Sequence, residues 1–337
     1  MTILAQGCTQ TGQPRHVETS NYYPHPVHSD PLPSPHPASL TERDLAPPSS
    51  GFTFTLRTVD REHLEEHLLT SNTDPTVDGI IVYYPIFNSR QDQYLQQIVS
   101  VSKDVEGLSH RYIFNMYQNI RFLDDAQLQK SILPCTPLAT IKILEHLHVY
   151  NPILPHGNRL FGHTVTVINR SEVVGRPLAA LLANDGARVY SVDVTGVQEF
   201  SRGEGIQKKR HEVVDKAGWG LEDVLPLSDV VISGVPGEGF SVPVERLREG
   251  AVCVNFSSEK NFPPEVKRKA SIYVPAIGKV TIVVLLRNLL VSRMDLSFPA
   301  LPACCRLPLG DVLKVLAWLS ESCIIERDRL DRMVRLW

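Results

Sequence analysis

Thr166-Val167-Ile168-Asn169-Arg170-Ser171-Glu172-Val173-Val174-Gly175-Arg176-Pro177-Leu178-Ala179-Ala180-Leu181-Leu182-Ala183-Asn184-Asp185-Gly186-Ala187 passes from a β-branched apolar run, through a polar turn, into a run rich in alanine and leucine. The first part predicts a strand over Thr164–Ile168. The second predicts a helix over Pro177–Ala183, closed by Asn184, Asp185 and Gly186. A second strand, Ala187–Val192, follows at once, and Asp229–Ser233 and Val252–Phe256 supply a third and a fourth. These strands are apolar throughout rather than alternating, which is the signature of a parallel sheet covered on both faces. The fold class is therefore α/β, with a Rossmann-like parallel-sheet unit that an apolar helix over residues 276–290 completes.

The polar turn between the first strand and its helix has the composition a dinucleotide needs. That ligand asks for a tight turn, close approach of the backbone, and a helix N-terminus near its phosphates. Ser171 and Gly175 fit this, Arg170 and Arg176 add possible charged donors, and Pro177 suits a first helical turn. Asn169 stands where the common G-x-G-x-x-G pattern has its first glycine, and a purely structural turn is the alternative. Asp193 strengthens the nucleotide reading. It ends the second strand, with Val194 beside it, eighteen residues beyond Gly175. A carboxylate there accepts both ribose hydroxyls and repels a 2′-phosphate, so NAD is expected rather than NADP. A strand-end aspartate that caps a turn is the competing reading. Two further strand ends, Ser233-Gly234-Val235-Pro236 and Asn255-Phe256, fall at the carboxyl edge, where ligands bind in such sheets. Gly234 would let the backbone approach a ring, and the Asn255 amide would meet a ribose or a carboxamide.

Outward from this unit, Pro155-His156-Gly157-Asn158 reads as a linker, so the nucleotide domain is placed at residues 151–290. Before it, Thr136-Pro137 predicts a helix start, with Thr136 as N-cap and Pro137 as first helical residue; Leu138, Ile141, Ile143, Leu144 and Leu147 form its apolar face. A second domain over residues 51–150 would hold that helix, strands at Phe52–Arg57 and Val77–Tyr84, and helices near residues 60–70 and Gln93–Val99. Residues 1–50 carry Pro24, Pro26, Pro31, Pro33, Pro35, Pro37, Pro47 and Pro48 among His, Ser and Asp, and no packed element is expected there. Residues 291–337 form a tail with Val312, Val315, Leu316, Leu319 and Ile324 at helical spacing.

Bulk properties exclude several function classes. The 337 residues carry a formal charge of −3, with 42% hydrophobic and 21% charged residues, so no basic field argues for nucleic acid or an anionic membrane. The cluster Lys208-Lys209-Arg210 runs straight into His211 and Glu212 and reads as a solvated loop. Six cysteines are scattered without metal-ligand spacing, so reduced thiols and no metal are expected. No secretory start is visible, and the apolar run Val280–Val291 is short and broken by Arg287 and Asn288. A soluble, cytoplasmic protein is the expectation.

The run 166–187, together with Ser131-Ile132-Leu133-Pro134-Cys135-Thr136-Pro137-Leu138 and Lys103-Asp104-Val105-Glu106-Gly107-Leu108, closely resembles the fungal NAD-dependent methylenetetrahydrofolate dehydrogenases, the monofunctional branch of the dehydrogenase/cyclohydrolase family. The resemblance covers roughly residues 51–290 and implies an N-terminal folate-binding α/β domain, a C-terminal nucleotide domain, and substrate in the cleft between them. It implies hydride transfer from 5,10-methylenetetrahydrofolate to NAD in one-carbon metabolism, upstream of purine biosynthesis, by a homodimer joined through the nucleotide domain. No protein nucleophile or metal is obligatory for that chemistry, and positioning carries most of it. By family position Cys135 is the candidate catalytic residue, with a small buried residue at a helix entrance as the alternative. Tyr83, Pro85, Glu106 and Gly107 would face the pterin, Glu106 holding its guanidine-like edge by paired hydrogen bonds, with an ordinary surface carboxylate as the alternative.

Two features depart from that family. Bifunctional members use a Tyr-x-x-x-Lys pair on an early helix, whereas the first lysine of this chain is Lys103, so cyclohydrolase activity is not expected. The family also has a helix, a strand and a second helix before the position of Gly51, and here Tyr22 and Tyr23 sit among prolines instead. The tail after Leu290 departs as well. A non-catalytic NAD-binding paralogue, or an incorrectly spliced inactive form, is the alternative these ends raise. With that strand missing, Phe52–Arg57 or Val77–Tyr84 would expose a bare sheet edge.

Overall fold

The computed structural model describes residues 2–6, 18–19 and 53–293, apart from 88, 127, 204–207 and 209. The tail pattern from Val312 to Ile324 lies outside the described residues. The chain separates into two units. The first holds the described residues of 2–110, 124–132 and 285–293, and the second holds 111–123 and 133–284.

The first unit is built on a four-stranded sheet. Its strands are β1 (Thr2–Gln6), β2 (Glu18–Thr19), β3 (Thr53–Arg57) and β4 (Gly79–Val82), in the order β2-β3-β1-β4. β1 corrects the expectation of an unstructured first fifty residues. It runs antiparallel to both neighbours, Thr2 pairing with Arg57 on one side and Val82 on the other. The physical reason is local: the prolines begin at Pro14, and Thr2-Ile3-Leu4-Ala5-Gln6 keeps every backbone N–H available for a ladder. The edges expected to be bare on β3 and β4 therefore face each other across β1. Residues 7–17 and 20–52 lie outside the described residues.

Between β3 and β4 runs helix α1 (Leu64–Thr73), entered through a 3-10 turn and burying Leu64 and Leu68. Lys103 Nζ donates to the carbonyls of Ser71 and Asp74, at 2.9 and 2.6 Å, and so closes its C-terminal end. Helix α2 (Arg90–Ile98) starts three residues earlier than expected, because Ser89 Oγ accepts from Gln91 N and caps it. β4 also bonds outward, Ile80 N donating to Lys103 O at 2.8 Å, which ties the Lys103–Leu108 segment to the sheet.

The second unit opens with helix α3 (His110–Tyr117), which the sequence reading missed, and α4 (Cys135–His146). The division expected at residue 150 does not fall there: Ile141 and Leu144 of α4 lie in the same core as the parallel strands. Seven strands follow. These are β5 (Thr164–Ile168), β6 (Arg188–Asp193), β7 (Gly196–Ser201), β8 (Glu212–Lys216), β9 (Val230–Ser233), β10 (Val252–Asn255) and β11 (Ile272–Val274). Their order is β11-β10-β9-β5-β6-β7-β8; the first five are parallel, and β7 and β8 fold back antiparallel. Helix α5 (Gly175–Asn184) buries every residue except Arg176, setting Leu178, Leu181 and Leu182 against Val165, Val167, Val189 and Ile232. Each such side chain contributes about 1.5–3 kcal/mol by leaving water, which makes this layer the main hydrophobic stabiliser of the unit. Helix α6 (Gly278–Arg293) ends the described chain. Among the described residues, no helix is long and apolar enough to cross a membrane.

Candidate active site

The turn from β5 to α5 is a knot of backbone contacts. Asn169 has φ 90, the left-handed conformation a glycine would take there, and Asn is among the few side chains that tolerate it. Gly175 is required for another reason: a Cβ on it would lie 1.8 Å from the Asn169 carbonyl oxygen. Ser171 N donates to Asn169 Oδ1, while Ser171 Oγ accepts from Val174 N and Gly175 N, both at 3.3 Å. The hydroxyl therefore satisfies two of the amides that a helix start leaves unpaired. Arg176 is half-exposed and pairs with Glu172 one turn earlier.

Asp193 closes β6 as expected. Its Oδ2 accepts from Arg170 N and its Oδ1 from Val194 N, both at 2.7 Å. An ionised carboxylate has about four lone-pair sites, so it keeps acceptor capacity after these two bonds. The Val194 side chain is fully exposed beside it. Arg170 differs from the expectation of a free charged donor. Its guanidinium donates to Ser191 O, Ser191 Oγ, Thr195 Oγ1 and Gly196 O. The β6–β7 hairpin, absent from the sequence reading, supplies those acceptors and turns the side chain inward.

At the third and fourth strand ends, Gly234 approaches a ring that belongs to the protein: a Cβ there would lie 1.8 Å from the Phe256 ring. The amide nitrogen of buried Asn255 is likewise already engaged, with the carbonyls of Ser257, Glu259 and Pro275 at 3.2, 2.8 and 3.1 Å. Only its Oδ1, buried and without a partner, is left over. Two residues the sequence reading missed hold this edge. Asn261, fully buried, accepts from Ser233 Oγ and Val235 N and donates to Val235 O. Ser257 Oγ also donates to Val235 O. A lone Asn past a strand end has no local signature; its meaning lies wholly in its tertiary partners.

The residues expected to face a pterin are in the first unit. Asp104, buried, gathers the amides of Glu106, Gly107 and Ser109 at 3.1, 2.8 and 2.7 Å, folding this segment into a tight loop. Glu106 Oε2 accepts from Val82 N at 2.9 Å, so its carboxyl lies against the end of β4. Burial, reinforced by the Asp104 carboxylate, pushes the Glu106 carboxyl up to about 8 against the single favourable bond from Val82. It is thus largely protonated at neutral pH and can donate as well as accept. Tyr83 is partly buried and Pro85 exposed. Between them the Tyr84 hydroxyl is buried without a partner, and burial next to Glu106, Asp92 and Asp104 raises its pKa further.

Cys135 belongs to the second unit, as the buried first residue of α4. The helix begins one residue before Thr136, so Thr136 is not its N-cap; Pro134 takes that position with extended ψ. Pro137 then falls in the first turn, where a missing N–H costs no helical bond.

Known proteins resemble this arrangement. The profile for tetrahydrofolate dehydrogenase/cyclohydrolase, catalytic domain, matches residues 48–106, and that for its NAD(P)-binding domain matches residues 134–205. The chain is 60% identical over 241 residues to a methylenetetrahydrofolate dehydrogenase (NAD+) of Schizosaccharomyces pombe, covering 71% of this chain and 75% of the relative. It is 56% identical over 256 residues to that of Saccharomyces cerevisiae, covering 74% and 80%. The solved structure of the Saccharomyces cerevisiae NAD-dependent 5,10-methylenetetrahydrofolate dehydrogenase superimposes with a TM-score of 0.68 over 71% of this chain and 76% of that one.

Proposed function

Because the chain belongs to the family of NAD-dependent methylenetetrahydrofolate dehydrogenases, we infer that its residues arrange the oxidation of 5,10-methylenetetrahydrofolate to 5,10-methenyltetrahydrofolate. The bridging carbon loses a hydride with both electrons, and the neighbouring folate nitrogens share the positive charge left behind. NAD, when bound, supplies the acceptor for that hydride. No proton moves and no bond to protein forms, so the side chains act by binding, orienting and excluding water.

The observation that carries the reading is Asp193 at the end of β6, fixed by two backbone amides and still able to accept from a ribose. Its charge disfavours a 2′-phosphate, and the donors of the Arg170 guanidinium are taken up by Ser191, Thr195 and Gly196 rather than left to bind one. Ser171 and Gly175 shape the turn at the start of α5 against which a diphosphate would lie. With Val174 N and Gly175 N taken by Ser171 Oγ, the half-exposed Arg176 guanidinium is the charged donor beside it. Val194 offers an apolar cover for an adenine, and the Gly234-Val235 and Asn255-Phe256 ends form the nicotinamide side. The donor set therefore fits NAD. In the first unit, protonated Glu106 both donates to and accepts from a pterin edge, next to Tyr83, Pro85 and Gly107. Cys135 shapes the one-carbon site with a small thiol rather than attacking the substrate.

The alternative of a non-catalytic or mis-spliced chain is not favoured, since both family domains are matched and β1 completes the first sheet. A cytoplasmic homodimer serving one-carbon metabolism and purine biosynthesis is part of the same proposal. So is the absence of cyclohydrolase activity, supported by Lys103 being the first lysine and capping α1. Purified protein given 5,10-methylenetetrahydrofolate and NAD should form NADH and the methenyl product in equal amounts, with NADP a poor substitute. A folded sample yielding neither product would sink the reading.

A further inference from the structure

Asn169 does more than make the turn at the end of β5. Its Nδ2 donates to Gly234 O at 2.6 Å, and its Oδ1 accepts from Ser171 N at 2.9 Å. Its backbone N donates to Val192 O at 3.0 Å. One residue thus touches the turn before α5, the end of β6, and the loop after β9. Glycine, the usual occupant, supplies the left-handed φ without strain but has no side chain to reach across. An asparagine here accepts a conformational cost, and the two side-chain bonds are what it gains.

The loop it reaches is held firmly on its other flank. Gly234 N donates to Ile168 O at 3.1 Å, and the Phe256 ring fills the space where a Cβ would stand. Asn261 holds Ser233 and Val235 on either side. The Gly234 carbonyl is then the point where the two ends of a dinucleotide site are joined, and Asn169 is the joint.

We propose that Asn169 is a positioning residue that registers the diphosphate turn against the nicotinamide-side loop, through its bonds to Ser171 N and Gly234 O. This rests on the nucleotide reading of residues 168–177 and adds to it a coupling between two loops 65 residues apart in sequence. The joint acts on the angle at which the acceptor ring meets the hydride rather than on how tightly the adenosine end is held.

Two variants of the full chain test this. Asn169→Gly keeps the backbone conformation and removes both side-chain bonds. Asn169→Asp keeps an acceptor for Ser171 N but sets a carboxylate oxygen against the Gly234 carbonyl. In Asn169→Gly, kcat should fall about tenfold, the loss expected from one well-placed bond that orients the reacting groups. The NAD KM should move less than kcat, and ADP, which carries the adenosine and the diphosphate but no nicotinamide, should bind within about twofold of the parent. Asn169→Asp should lose more kcat than Asn169→Gly at similar ADP affinity. Parental kcat in Asn169→Gly overturns the proposal. So does a parallel fall of kcat, ADP affinity and urea midpoint, the mark of a residue that only holds the fold. Asp193→Ser, run alongside, separates the two levels: unchanged ADP and NAD binding in that variant defeats the underlying nucleotide reading instead.

Discussion

At the scale of single residues, burial changes what Glu106 offers. An unfolded glutamate releases its proton near 4.5, whereas the folded carboxyl keeps it up to about 8. Between those values the folded chain holds one proton more than the unfolded one. The contribution to stability is therefore complete below 4.5 and is lost as the pH rises through 8. Glu106→Gln, neutral at every pH, should flatten that decline. Urea midpoints compared below, within and above the window check it, and parallel profiles for parent and variant would refute it. Asp193 could be singled out from its own place at a strand end, whereas Glu106 was named only through the family resemblance. Arg170 was not legible in the same way. Its four acceptors come from Ser191, Thr195 and Gly196, and a guanidinium's direction is decided by where its partners are, not by its own position in the chain. Asn169 was read as a missing glycine; its side-chain contact to Gly234 becomes visible only once β5 and β9 lie side by side.

At the scale of elements, apolar continuity was a reliable guide. β5, β6, β9, β10 and α5 fall within a few residues of their expected limits, because each is buried on both faces and its composition carries that fact. The hairpin of β7 and β8 escaped for the opposite reason: Glu212, Val213, Val214 and Asp215 of β8 are all exposed, so no buried face imposes a pattern. β1 escaped because the prolines downstream of it dominated the reading of the whole segment. Its role leads to a prediction. A central strand uses its N–H groups on both sides, so Leu4→Pro removes a ladder bond and uncouples β3 from β4. The variant should show faster amide exchange in Gly79–Val82 and concentration-dependent aggregation from the bared edges. Parental exchange in that strand would show that β1 does not hold the sheet.

At the scale of the molecule, the second unit ends on one side in β8, which among the described residues pairs only with β7. Val213 and Val214 on it are 40% and 56% exposed, and an unpaired edge with an apolar centre is a natural seam for a second copy. If the proposed dimer uses this edge, Val214→Lys should shift sedimentation from dimer to monomer while leaving the fold of each chain intact. A variant that sediments as the parent does would remove β8 from the interface. The first unit carries a different consequence, one of timing. β1 leaves the ribosome before either of its partners, and Thr2 meets Val82 only after some 80 further residues have been made. At ordinary rates of synthesis, about 5–20 residues per second, that is a wait of roughly 4–16 s. Until β3 emerges, after some 55 residues, Thr2–Gln6 has no partner, and until β4 follows its second edge stays bare, so its safe keeping falls to whatever shelters nascent chains. The half of the enzyme that receives the folate is thus the half whose assembly depends most on the conditions of its birth.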